Sequence, residues 1–172
     1  GTGVVWVGVG RDEVGGVLGV AAAGVGAVAG RPRATLAGSG PQVVGGALAL
    51  AATTGTVHYA NEYADYETDA IATGSGFSGG SGALHEYGLP RSLAQRATVL
   101  SGVATVPAGA VAWLAGVPPR ALAVLGIILL LGWQYSLQPL ALAWRGFGAA
   151  TNALVGALLL PVYAVSVVTP PT

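Results

Sequence analysis

The chain has 172 residues, of which 53% are hydrophobic and 8% charged, with seven basic residues balancing seven acidic ones and a mean hydropathy of +0.67. Soluble domains carry about 25% charged residues, so this composition excludes a surface that faces water all round and points to a membrane protein of several spans. The balanced charge leaves no field to attract nucleic acid. With no Cys and no Lys, the chain has no disulfide, thiolate metal site, Schiff-base amine or P-loop lysine.

Both ends, Gly1-Thr2-Gly3 and Thr169-Pro170-Pro171-Thr172, read as cut, and the first apolar stretch lacks the marks of a signal peptide. Five apolar runs are expected to form spans, at about 14–29, 41–60, 97–116, 121–137 and 149–168. The first is short and Gly-rich, with small-xxx-small spacing at Gly15/Gly19 and Gly26/Gly30. A polar turn segment is expected from Arg31-Pro32-Arg33 to Gly40, and residues 71–96 form the longest polar connection. Pro107 and Pro161 fall inside the third and fifth runs, and Trp133 and Tyr135 sit near the end of the fourth, as interfacial aromatics do. The fold class is therefore all-α, a multi-pass transmembrane helical bundle of about five helices in a single domain spanning 1–172. The expected location is the cell membrane, with lipid as surroundings and the acidic stretch described next on the cytoplasmic side. Four Arg on that side against three on the other do not by themselves fix the orientation.

The second run leads directly into Asn61-Glu62-Tyr63-Ala64-Asp65-Tyr66-Glu67-Thr68-Asp69, which holds four of the seven carboxylates. On a helix, Asn61, Asp65 and Asp69 at i, i+4 and i+8 share one face and form a row of oxygen ligands roughly 12 Å long. Hard oxygen ligands suit Mg²⁺, which takes one or two carboxylates and leaves its other positions to water and substrate phosphates. Carboxylates in a membrane cost on the order of 2.5 to 3.5 kcal/mol at the bilayer centre, so a cluster of them requires partners or water. A proton or cation pathway of a transporter is an alternative reading of the same row, as is a solvated helix end. Glu62 lies about 100° from the Asn61 face and still reaches the site, whereas Glu67, at about 240°, faces water. Gly74-x-Gly76-x-x-Gly79 matches a dinucleotide fingerprint by letter but lacks the βαβ setting, and reads as a flexible loop. His58 and His85 have no second His at ligand spacing, and read as polar contacts.

The Asn61-x-x-x-Asp65-x-x-x-Asp69 row at the end of a span resembles the first aspartate-rich motif of the UbiA family of intramembrane prenyltransferases. Phe77-Ser78-Gly79-Gly80-Ser81-Gly82-Ala83-Leu84 with Gly88-Leu89-Pro90 resembles the loop that follows it there. Tyr135-Ser136-Leu137-Gln138-Pro139 with Arg145-Gly146-Phe147-Gly148 resembles a later segment of the same family. The resemblance covers roughly 41–168 and is nearest to the menaquinone-branch enzymes that prenylate dihydroxynaphthoate. It implies a nine-helix bundle, of which this chain is the N-terminal portion, with two Asp-rich motifs facing each other across a cavity. It also implies Mg²⁺, an isoprenyl diphosphate donor and a hydroxylated aromatic acceptor that is a quinone precursor. Asn61, Asp65 and Asp69 would then hold metal and diphosphate and carry the catalysis, with Glu62, Arg91, Tyr135 and Arg145 as substrate-binding candidates. The chain departs from the pattern in having no acidic residue after Glu86, and in Ala143 and Ala149 where relatives often have Lys and Glu. With the second motif missing, the chain alone is expected to be inactive. Another diphosphate-utilising membrane transferase, of the CDP-alcohol phosphotransferase type, also uses spaced Asp residues, but the Asp-Gly…Ala-Arg it requires is not found here.

Overall fold

A computed structural model describes residues 33–69 and 83–169. Among them the chain is helical, without a strand: α1 Arg33–Asp69, α2 Ala83–Glu86, α3 Arg91–Leu114, α4 Pro119–Ser136 and α5 Gly148–Val168. The predicted span at 14–29, with its glycine pairs, and the loop around 74–82 lie outside the described residues.

Three helices, α3, α4 and α5, are long and apolar enough to cross a membrane, and they coincide with the third, fourth and fifth predicted spans. Their large apolar side chains are turned outward: Leu100 is 71%, Val106 74% and Leu114 84% exposed. A soluble helix would bury that stripe; one in a bilayer turns it to lipid, so the pattern is that of a membrane protein. The second predicted span, 41–60, lies within α1, which is not among these three. Thr53, Thr54, Thr56 and several glycines dilute its apolar content.

Two boundaries differ from the sequence reading. Residues 33–40, expected as a turn, are the first turns of α1, which runs without interruption through Pro41. Likewise α3 begins at Arg91, with Pro90 in extended conformation as its N-cap, so Arg91 and Arg96 belong to a helix rather than to the polar connection. Within α5, Leu154–Leu159 is π-helical. The widening falls just ahead of Pro161, whose missing N–H removes one bond of the regular ladder.

Contacts along α1 set the topology. Gln42 Nε2 donates to the Gly116 carbonyl at 2.9 Å, and Arg91 Nε at the other end donates to the Tyr63 carbonyl at 3.0 Å. Helices α1 and α3 are therefore antiparallel. Val57 packs on Gly132, and the Ala64 level meets Ser136, so α4 runs parallel to α1. Tyr163 returns α5 to the start of α1, its hydroxyl donating to the Gly46 carbonyl at 2.7 Å. The core sits toward that end, around Ala49, Leu50, Ala112, Val117, Leu125, Tyr163 and Val167.

The helices approach closely where glycine allows it. A Cβ built on Gly132 would lie 2.4 Å from Val57 Cγ2, and one on Gly46 would lie 2.9 Å from Val167 Cγ1. Small residues at such contacts let backbones pack without a hydrophobic driving force, as helices in a bilayer must.

Candidate functional site

Glu62, Asp65, Glu67 and Asp69 lie at one end, where α1 stops, α3 starts, and α4 hands over to the turn at 137–147. That turn contains a cis Gln138–Pro139 peptide and places Ala141 at φ 44° and Gly146 at φ 84°. Ala141 is a buried residue in the left-handed region, a conformation costly to anything but glycine. The turn is held from both sides. Leu142 and Ala143 donate backbone N–H groups to the Gln134 and Tyr135 carbonyls at 3.0 and 2.8 Å, and Arg145 Nη2 donates to the Pro139 carbonyl at 3.1 Å. The Tyr135 hydroxyl accepts from Asn152 Nδ2 at 3.3 Å. Tyr135 and Arg145 thus brace the turn at the same end as the acidic row.

The row itself lies on continuous helix, so Asn61, Asp65 and Asp69 fall within about 80° of one another around α1. Asn61 Oδ1 is buried with no hydrogen-bond partner. Asp65 is half-buried, and its carboxyl is raised to about 6, first by burial, then by the charges of Asp69 and Glu62. Glu62 is buried, with 8% of its surface exposed, and its effect on Asp65 places it beside the row. Neither Asp65 nor Asp69 forms an ion pair with a described residue. Oxygen donors with an orphaned carbonyl and mutually repelling carboxyls fit a hard divalent cation. Among the described residues, no group of three Asp, Glu or His side chains is arranged to hold a metal ion.

Arg91 does not face the row. Its Nη1 pairs with Glu67 Oε1 at 3.0 Å, and its guanidinium carbon stands 4.3 Å from the centroid of the Tyr63 ring. Tyr63 and Glu67 are one turn apart on the side of α1 away from Asp65. A second cluster locks the short α2 against the same helix. The His85 imidazole Nε2 meets the Tyr66 carbonyl, its ring lies 4.2 Å from that of Tyr66, and the Tyr66 hydroxyl donates to the Leu89 carbonyl at 3.4 Å.

Between α1, α3 and the end of α4 is a groove of about 430 Å³ lined by Tyr63, Ala64, Arg91, Trp133, Ser136, Leu137 and Gln138. A second, apolar groove of about 340 Å³ adjoins it at Trp133, with Thr56, Gly102, Gly126, Leu129 and Leu130 as its other walls. The sequence reading had not singled out Tyr63, Trp133, Ser136 or Gln138 as a lining. Their common signal is position, at the ends of two parallel runs, which becomes visible only once those runs are paired.

In comparisons with known proteins, no family model matches the chain, and neither does any curated protein or solved structure. What the site does is therefore argued from its residues.

Proposed function

We propose that the chain acts in a multi-pass, Mg²⁺-dependent intramembrane prenyltransferase of the UbiA type. In this reading a polyprenyl group passes from an isoprenyl diphosphate to a hydroxylated aromatic acceptor, a quinone precursor, on the cytoplasmic side of the cell membrane. The observation that carries the reading is the Asn61–Asp65–Asp69 stripe: three oxygen donors on one helical face, with Asn61 Oδ1 buried and unpartnered and Asp65 held against its neighbours' charge. The braced turn with Tyr135 and Arg145 at the same end supports it.

Mg²⁺, when bound, supplies electrostatic stabilisation for the negative charge that builds on a departing diphosphate. The chain's residues do the rest. Asn61, Asp65 and Asp69 hold the cation from one wall, and Glu62 adds negative charge behind them. Exclusion of water would protect a reactive allylic centre from hydrolysis. Arg145 and Tyr135 fix the turn that closes this end.

The test is Asp65→Asn in the full-length protein, assayed in membranes for transfer of a labelled prenyl group. Activity is expected to fall more than about a hundredfold, beyond what is lost when a group merely orients a metal ligand, with expression retained. Unchanged turnover would sink the proposal.

A further inference from the structure

The two arginines of α3 face opposite ways. Arg91 is turned to α1, where Glu67 pairs with it at 3.0 Å. Ala94, Thr98 and Ala112 are the buried residues of the same helix, and at 100° per residue Arg96 stands about 160° from each of them. It is exposed and makes no hydrogen bond or ion pair with a described residue. The side chains that share its face are apolar. Leu100, one turn further along, lies within about 40° of Arg96, and Val103, two turns along, within about 20°; both are exposed, as is Val99. Gln95, Arg96, Val99 and Leu100 line a groove of about 410 Å³ on this outer surface.

Depth gives that groove its meaning. Centred on a hydrocarbon core of about 30 Å, the 24 residues of α3 extend about 3 Å beyond each edge. Arg96 is five residues from the start of the helix, about 7.5 Å along the axis, which puts its Cα about 4–5 Å inside the edge. An arginine at that depth keeps its stem in the apolar layer and turns its head outward to the phosphate level. We propose that this groove is a site for one anionic phospholipid, its phosphate on the Arg96 guanidinium with Gln95 as a neutral donor beside it, and its acyl chain along Val99, Leu100 and Val103. Charge decides which lipid. Arg96 is the groove's one charge, a single phosphodiester anion neutralises it, and the planar fork suits two phosphate oxygens. A zwitterionic lipid offers the same phosphate with an ammonium attached, so it brings no net charge and a cation that Arg96 repels. None of these residues belongs to the Asn61–Asp65–Asp69 stripe, so the site stands apart from the transferase reading.

The chain has no native cysteine, so Val103→Cys in the full chain takes a single bimane label on this exposed face. The labelled protein is reconstituted in phosphatidylcholine vesicles with a rising share of phosphatidylglycerol brominated in its acyl chains, and quenching of the bimane measures how that lipid occupies the groove. The converse series, with brominated phosphatidylcholine, supplies the reference. Phosphatidylglycerol is expected to be favoured about three- to tenfold, the scale of one basic side chain at an anionic membrane surface. Arg96→Gln in the labelled chain is expected to bring the ratio to about one while both lipids still quench, because an exposed side chain is not needed for packing. Arg96→Lys is expected to keep a smaller preference, since the ammonium retains the charge and loses the fork. Equal occupancy by the two lipids in the Arg96 chain, or a preference that survives Arg96→Gln, would overturn the site. So would a label that neither brominated lipid quenches, which would give this face to a second copy of the chain or to another protein.

Discussion

Asp65 is displaced from ordinary carboxyl chemistry. Its carboxyl is raised from 3.8 to about 6 by burial and by the charges of Asp69 and Glu62, so the folded state holds that proton more tightly than the unfolded chain. The stabilisation this brings is complete below about 3.8 and is lost as pH rises through 6. For the metal-free protein, thermal unfolding is therefore expected at a lower temperature at pH 7 than at pH 5, and Asp65→Asn is expected to flatten that dependence. A cation on the stripe acts in the opposite sense, because it must displace the proton. Mg²⁺ affinity should accordingly rise with pH, by up to about tenfold per unit below 6, and level off above it. Calorimetric titration with Mg²⁺ at pH 5, 6 and 7 measures this directly, and a flat affinity in all three buffers would remove Asp65 from the ligand set.

At the scale of helices, the contact between α1 and α4 depends on Gly132. Its nearest neighbour is Val57, whose Cγ2 and Cγ1 would stand 2.4 and 2.8 Å from an added Cβ, and a β-branched side chain has little rotamer freedom with which to give way. Gly132→Ala is expected to cost about 1–3 kcal/mol by overpacking, and Val57→Ala in the same chain should restore much of it. Thermal unfolding of the two single variants and the double variant in detergent measures that coupling; additive effects would mean that the helices part rather than clash. The sequence reading missed this contact, because a lone glycine in an apolar run acquires meaning only from what lies opposite. The small-xxx-small pairs it did single out lie outside the described residues. It did anticipate the helical continuation through Asp69, since the acidic row has meaning only at helical spacing. At α3 it took the start of the apolar run as the start of the helix and passed over Pro90, the better stop-and-start signal. That choice left Arg91 in a loop, free to reach the acidic row, whereas the helix turns it to Glu67 and Tyr63.

The described helices have two distinct ends. Asp65, Asp69, Tyr87, Arg91 and the 137–147 turn share the first end. The second is tied by Gln42 to Gly116 and by Arg120 Nη2 to the Thr169 carbonyl at 2.8 Å. Between them α3 is 24 residues long, about 36 Å at 1.5 Å per residue, enough to cross a hydrocarbon core of about 30 Å. The two ends should therefore lie on opposite sides of a membrane, a prediction that the absence of native cysteine makes easy to test. Tyr87→Cys, an exposed position just ahead of α3, and Pro119→Cys, exposed just beyond it, each introduce one thiol. In sealed vesicles a membrane-impermeant maleimide is expected to label one of them and spare the other until the vesicles are opened. The labelled position then gives the side on which the Asn61–Asp65–Asp69 stripe opens. Equal labelling of both in sealed vesicles would mean that α3 does not cross, and the outward-facing Leu100, Val106 and Leu114 would then need a protein partner in place of lipid.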